Sequence, residues 1–232
     1  MIQTINSRLN EYLEFDNDLL FFDPLVRIFG GAIRDSLADQ PINDIDILCG
    51  SNSVSRLEYI LEQNGYYKMS KLSSIDISIL YKDIQVISEP ITWIKGKKVI
   101  QIIRPRNISG TKDMDKIIPK HLAYFDNFKQ LISNVDLSCC GVSWNSGILY
   151  ENYQNAVIHC LTKSFYANNG AAMYSYDRAI HRKAKLEDRG WTEVLMNTAD
   201  NRDLRIDYLL DNDNSIEFIK EWGIGERPSI IK

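Results

Sequence analysis

The stretch RIFGGAIRDSLADQPINDIDIL, Arg27 to Leu48, carries three features in order. An apolar run, LVRIF from residue 25 to 29, ends in Gly30-Gly31. A helix-forming segment, AIRDSLAD, begins directly after it. Asp44 and Asp46 then stand one residue apart within a second apolar run, DIDILC, from residue 44 to 49. The two runs read as strands. Strand side chains alternate between faces, so residues i and i+2 share one. Ile45 and Ile47 therefore go to the core, and Asp44 and Asp46 project together from the other face. Two carboxylates this close repel unless a cation lies between them or one takes a proton. Mg²⁺ suits such a pair. It is a hard, oxygen-seeking ion, commonly held by one or two carboxylates together with waters and substrate phosphates.

A strand, a Gly-Gly turn and a helix start make an anion site from backbone N–H groups and the positive end of the helix dipole. Glycine lets the backbone approach a phosphate closely. Arg34 lies three residues beyond Gly31, where its guanidinium can reach a bound triphosphate. A lone D-x-D or a lone Gly-Gly turn is common and usually structural. Their order here, cradle before acids, is the order a Mg²⁺–nucleoside triphosphate site needs.

The remaining sequence bounds this reading. The 232 residues are 44% hydrophobic and 25% charged, an ordinary globular composition long enough to bury a core without staples. The net charge of −4 excludes a broadly basic nucleic-acid coat but allows a local basic groove. Cys49, Cys139, Cys140 and Cys160 form no CxxC pair and the three histidines are scattered, which argues against zinc and for reduced, structural thiols in a cytoplasmic protein. The N-terminus lacks the apolar core of a secretion signal, and no window approaches the ~18 apolar residues of a membrane span.

Periodicity predicts a helix over residues 5–20 and another over 54–65 ending at Gly65. Strands are expected at 76–81, 84–89, 99–105 and 135–144, with GILYENY pairing onto the last across the NSG turn. A helix is expected within 115–133, and helices from residue 155 to the end. The expected organisation is α+β over residues 1–155, followed by a small helical part over 156–232.

GGAIRDSLADQPINDIDIL resembles the nucleotidyltransferase superfamily that includes DNA polymerase β. The likeness is strongest to the head of CCA-adding enzymes (tRNA nucleotidyltransferases) and bacterial poly(A) polymerases. Their pattern is Gly-Gly, a hydrophobic residue, Arg-Asp, a short gap and Asp-x-Asp. Here it is met by Gly30, Gly31, Ile33, Arg34, Asp35, Asp44 and Asp46, within about 20 residues. The resemblance implies a mixed sheet with flanking helices. It implies two Mg²⁺ ions held by Asp44 and Asp46, a triphosphate on Gly30, Gly31 and Arg34, and a mainly structural Asp35.

SNVDLSCCGVSW resembles the family's Arg-Arg-Asp-Phe-Thr-Ile-Asn-Ala motif. Asp136 stands at its Asp and Ser138 at its Thr, while Asn134 and Val135 replace the two arginines and Cys140 falls on the Asn. Asp136 is thus the candidate third metal-holding carboxylate. The alternative is a satisfied strand-end acid. VIQII is another place for an acid but offers Gln101, followed by Arg104 and Arg106, which read as phosphate contacts or solvated surface. In YSYDRAIHRKAKLEDRGW, Arg178, Arg182, Lys185 and Arg189 fall on one helical face. The family places a base-reading helix there, with different spacing. Arg178 and Arg182 are candidate nucleotide contacts, and an exposed basic face is the alternative.

The expected function is a Mg²⁺-dependent nucleotidyltransferase that moves a nucleoside monophosphate from ATP or CTP to a hydroxyl on RNA, such as a tRNA 3′ end. About 75 residues follow residue 155, fewer than the helical body of a CCA-adding enzyme. Two other readings therefore stay open: the same chemistry on a protein or small molecule, and a non-catalytic binding domain.

Overall fold

The computed structural model describes residues 3–69, 90–104, 135–167, 176–194, 217–220 and 230–231. The segments expected as strands at 76–81 and 84–89 and as a helix within 115–133 lie outside the described residues.

Helix α1 (Gln3–Leu13) buries Ile5, Leu9 and Leu13, one residue per turn along a single stripe. It stops short of the expected residue 20. Glu14 has a left-handed φ of 61°, and a 3₁₀ turn follows at Asn17–Leu20, capped by the Asp16 side chain on the Asp18 N–H. Asp and Asn hydrogen-bond their own neighbourhood and so compete with helix continuation. Leu19, within the expected helix, is exposed.

Strand β1 (Arg27–Phe29) leads through Gly30 into α2 (Gly31–Leu37), and β2 (Ile45–Leu48) follows. Helix α3 (Val54–Gln63) packs through Val54, Leu57 and Leu61 and is closed by Gly65 at φ 79°. Strands β3 (Tyr67–Lys68), β4 (Ile91–Lys95) and β5 (Lys98–Ile103) come next. The β4 strand was not legible as one in the sequence. It forms a hairpin with β5 over Gly96-Lys97, with Lys95 opposite Lys98.

The expected strand 135–144 is shorter. Ser138–Cys140 is a 3₁₀ turn, and β6 spans Val142–Asn145. Local hydrogen bonds break the ladder: the Asp136 carboxylate accepts from the Leu137 N–H and the Ser138 carbonyl from the Gly141 N–H. Strand β7 (Ile148–Glu151) pairs with β6 through a turn in which Ser146 and Gly147 both have positive φ, as a tight hairpin requires.

Beyond residue 155 the chain is not helical throughout. Helix α4 (Ala156–Leu161), β8 (Ser164–Phe165), α5 (Tyr176–Glu187), β9 (Thr192–Glu193), β10 (Glu217–Lys220) and β11 (Ile230–Ile231) follow. Strands β8 and β9 pair in parallel. Strand β10 joins β7 in parallel and extends the main sheet, whose order is β11-β10-β7-β6-β1-β2-β5-β4-β3.

The pleat sorts the residues. Leu149, Trp144, Ile28, Ile47 and Ile102 lie in one cross-strand row and are buried against the helices. Tyr150, Ser143, Phe29, Asp46, Gln101 and Thr92 form the neighbouring row on the opposite face. Phe165, Leu186 and Trp191 share the hydrophobic core with residues of β1 and β2.

Candidate nucleotide site

Gly30 has φ 68° and ψ −125°, a conformation that makes the strand-to-helix turn and favours a residue without a Cβ. Its N–H donates to the Val142 carbonyl at 2.9 Å, so this amide belongs to the sheet. The amides open to an anion start at Gly31, the first residue of α2. That helix has seven residues, so its start contributes N–H groups more than a long macrodipole.

At Gly31 three features converge. A Cβ built there would lie 3.7 Å from Arg34 Nη2 and 4.0 Å from Asp44 Oδ1. Bare backbone, a cation and a carboxylate thus face one small space. Asp44 is exposed just ahead of β2, and Asp46 is half-buried within it. Ile45 and Ile47, between and beyond them, are fully buried, as the alternation predicts. Gln101 stands directly opposite Asp46 on β5, on the same face of the sheet. The neighbouring strand therefore offers an amide where a third acid could have stood.

Arg34 is buried and held at two edges. Nε donates to Asp35 Oδ1 at 2.7 Å, and Nη1 points at Cys140 Sγ at 3.4 Å. Burial works against its charge. The neighbouring Cys140 and Asp35 overcome that and raise its pKa further above the ordinary arginine value. Asp35 also receives Arg189 Nη1 at 3.2 Å, so it anchors two arginines.

Asp136 is buried and engaged by Arg182, whose Nη1 reaches both carboxylate oxygens at 2.6 and 2.8 Å. Among the described residues, no group of three or more His, Cys, Asp or Glu side chains is placed to hold a metal. Asp136 does not assemble with Asp44 and Asp46 into such a group, and its partner is a guanidinium.

The expected basic helical stripe divides, because α5 ends at Glu187 and leaves Arg189 in the turn beyond it. Arg182 turns to Asp136, Arg189 to Asp35 and the Pro41 carbonyl, and Lys185 is exposed. The Arg178 side chain and Arg106 lie outside the described residues. Two links invisible in the sequence reinforce this docking: Trp191 Nε1 donates to Gln40 Oε1 at 2.9 Å, and Gln40 Nε2 donates to the Arg189 carbonyl at 2.9 Å. Nothing in the sequence singled out Cys140 either, beyond its place at a family asparagine. It lies between Arg34 Nη1 and Arg182 Nη2, the latter at 3.6 Å.

No family model and no curated protein matches the chain. Among solved structures, a CCA-adding enzyme in complex with CTP is similar at a TM-score of 0.52 and 14% identity, over 91% of this chain and 47% of that one. The apo form I of a CCA-adding enzyme gives a TM-score of 0.52 and 14% identity, over 91% and 46%. The chain has a polymerase β-like nucleotidyltransferase fold. It spans about half the length of these solved structures. In the nucleotidyltransferase fold found here, the Gly-Gly turn, Arg34 and the Asp44/Asp46 pair lie along one β1-α2-β2 unit, and the segment just after α5 is tied to that unit through Arg189 and Trp191. No helix among the described residues is long and apolar enough to cross a membrane.

Proposed function

We propose that the protein is a Mg²⁺-dependent nucleotidyltransferase that moves a nucleoside monophosphate from ATP or CTP to a hydroxyl of an RNA acceptor, such as a tRNA 3′ end, in the cytoplasm. The observation that carries the reading is the convergence at Gly31 of open backbone, Arg34 Nη2 and Asp44 Oδ1.

The donor set fits Mg²⁺. Asp44 and Asp46 are hard oxygen donors on one short segment, and two carboxylates are what this ion takes when phosphates and waters complete its shell. Two bound ions would supply a more acidic acceptor hydroxyl and positive charge for the leaving pyrophosphate. The rest falls to the chain. The amides from Gly31 onward and Arg34 hold the triphosphate, while Gly30 shapes the turn. Arg182, fixed by Asp136, borders the nucleotide from α5 together with Arg178. Asp136 acts as a positioning residue for Arg182 and replaces the third-ligand role expected for it. Residues 1–155 carry the chemistry and 156–232 the neck-like part. Catalysis rests on positioning and preorganised charge. His159 is paired with Ser138 Oγ at 2.6 Å.

The test incubates the protein with Mg²⁺ and each α-³²P-labelled NTP, with total RNA and separately with extract protein as acceptors. Label on RNA that disappears in the Asp44→Ala/Asp46→Ala variant is the expected result. Label on protein alone would move the acceptor to a protein hydroxyl. No label and no nucleotide binding would overturn the proposal.

A further inference from the structure

We propose that Cys140 is a positioning residue of the nucleotide site, an anionic sulfur that holds Arg34 and Arg182 in a shared grip. The inference rests on the reading of Arg34 as a triphosphate contact.

The geometry is an alternating chain of charge. Asp136 binds Arg182, Arg182 Nη2 faces Cys140 Sγ at 3.6 Å, Cys140 Sγ faces Arg34 Nη1 at 3.4 Å, and Arg34 Nε binds Asp35. Two guanidiniums from different helices, α2 and α5, meet at one sulfur. Two cations directed at a neutral thiol would repel each other across it. A thiolate between them converts that repulsion into two charge-assisted contacts. Cys140 sits on the 3₁₀ turn before β6 and is buried, so its position is set by the fold. That position is guarded by Gly141, where a Cβ would come within 2.2 Å of Tyr153 Cβ and 3.0 Å of its backbone nitrogen.

The groups facing Cys140 agree with a charged sulfur. The hydrogen bond from the Cys139 thiol and the Arg34 and Arg182 guanidiniums hold its pKa down to about 6, against its burial and the nearby Asp136. Burial pushes the thiols of Cys139 and Cys160 well up, and that of Cys49 up to about 12. Of the four cysteines, Cys140 is the one whose thiol is pushed down rather than up. The grip is half formed near pH 6, strengthens as the pH rises above that value and is lost as it falls below.

The experiment has two readouts on the whole chain. Ultraviolet thiolate absorbance is titrated between ~pH 5 and ~pH 8, and dissociation constants for Mg–ATP and Mg–CTP are measured over the same range. The wild type should show a single thiolate step near pH 6, absent from Cys140→Ser. Cys140→Ser should weaken nucleotide binding about tenfold at neutral pH and lack the acid-side loss beyond that of the nucleotide itself. Cys140→Asp, which keeps the anion, should restore most of the affinity. The wild-type titration needs no variant to fold. Absence of the step overturns the inference. So does nucleotide binding that ignores both pH and Cys140→Ser, and that result leaves the proposed function standing. A wild type that binds neither nucleotide at any pH overturns the proposed function and this inference with it.

Discussion

Arg182 places one nitrogen, Nη1, against both carboxylate oxygens of Asp136, at 2.6 and 2.8 Å, and so ties helix α5 to the segment that enters β6. By motif, one of these residues reads as a nucleotide contact and the other as a metal ligand. In the fold they are partners. Asp136 is 3% exposed, so its charge is supported mainly by this cation and the Leu137 N–H.

Removal of the cation leaves a buried carboxylate unpaired. Arg182→Ala should cost about 2 kcal/mol of stability, below the full penalty of a wholly buried pair because the Arg182 side chain keeps 29% exposure. The double variant Asp136→Asn/Arg182→Ala should recover part of the loss. Denaturant unfolding of the four proteins of this cycle measures the coupling. Additive single effects would show that the pair contributes nothing.

The metal pair should separate activity from folding. Asp44 is exposed and Asp46 half-buried, so replacing both leaves the core row of Ile28, Ile47 and Ile102 untouched. Asp44→Ala/Asp46→Ala should lower nucleotidyl transfer by on the order of 10³-fold or more, since several kcal/mol of charge stabilisation go with the ions. The thermal midpoint should stay within a few degrees. Full activity in this variant would remove the metal assignment.

The two glycines should respond differently to alanine. At Gly30 the φ of 68° and ψ of −125° oppose any Cβ, and Gly30→Ala should lose about 1–3 kcal/mol of stability. At Gly31 a Cβ meets Arg34 Nη2 at 3.7 Å and Asp44 Oδ1 at 4.0 Å, ordinary contact distances. Gly31→Ala should fold nearly normally yet raise the KM for NTP severalfold, because the methyl fills the phosphate's space. Equal stability losses at the two positions would contradict this division.

A second acid-range signature lies away from the site. Hydrogen bonds from Lys95 and Lys98 hold the Glu14 carboxyl down to about 2. A depressed carboxyl pKa adds stability above its unfolded value near 4.5, and that contribution is lost as pH falls toward 2. Glu14→Gln should flatten the stability profile between those values, lowering stability modestly at neutral pH because the pair is exposed and leaving it little changed near pH 2. Observation of the Glu14 carboxyl by NMR, titrating at an ordinary glutamate value, would refute the ion pairs.

Much of the β1-α2-β2 unit was legible because its determinants are local. Ile45 and Ile47 alternate with Asp44 and Asp46, and a glycine pair marks the turn. The end of α1 was not, because Asp16 and Asn17 stop the helix against a continuing apolar period that includes Leu19. The segment at 135–144 misled for a related reason. Its apolar residues suit a strand, but the side chain of Asp136 and the packing of Gly141 on Tyr153 bend it into a 3₁₀ turn. Strand β10 was illegible because its pairing with β7 joins segments far apart in the chain.

The sequence by itself determined the chemistry on offer: a glycine turn, an arginine one helical turn on, and two acids whose i, i+2 spacing obliges them to share a face. These follow from backbone geometry over a few residues. Which charges meet was decided only by the tertiary structure. Asp136 went to Arg182, Asp35 to Arg34 and Arg189, and Cys140 between two guanidiniums, because a buried charge needs a partner and only the tertiary fold brings α5 and the turn after it against Asp35, Asp136 and Cys140.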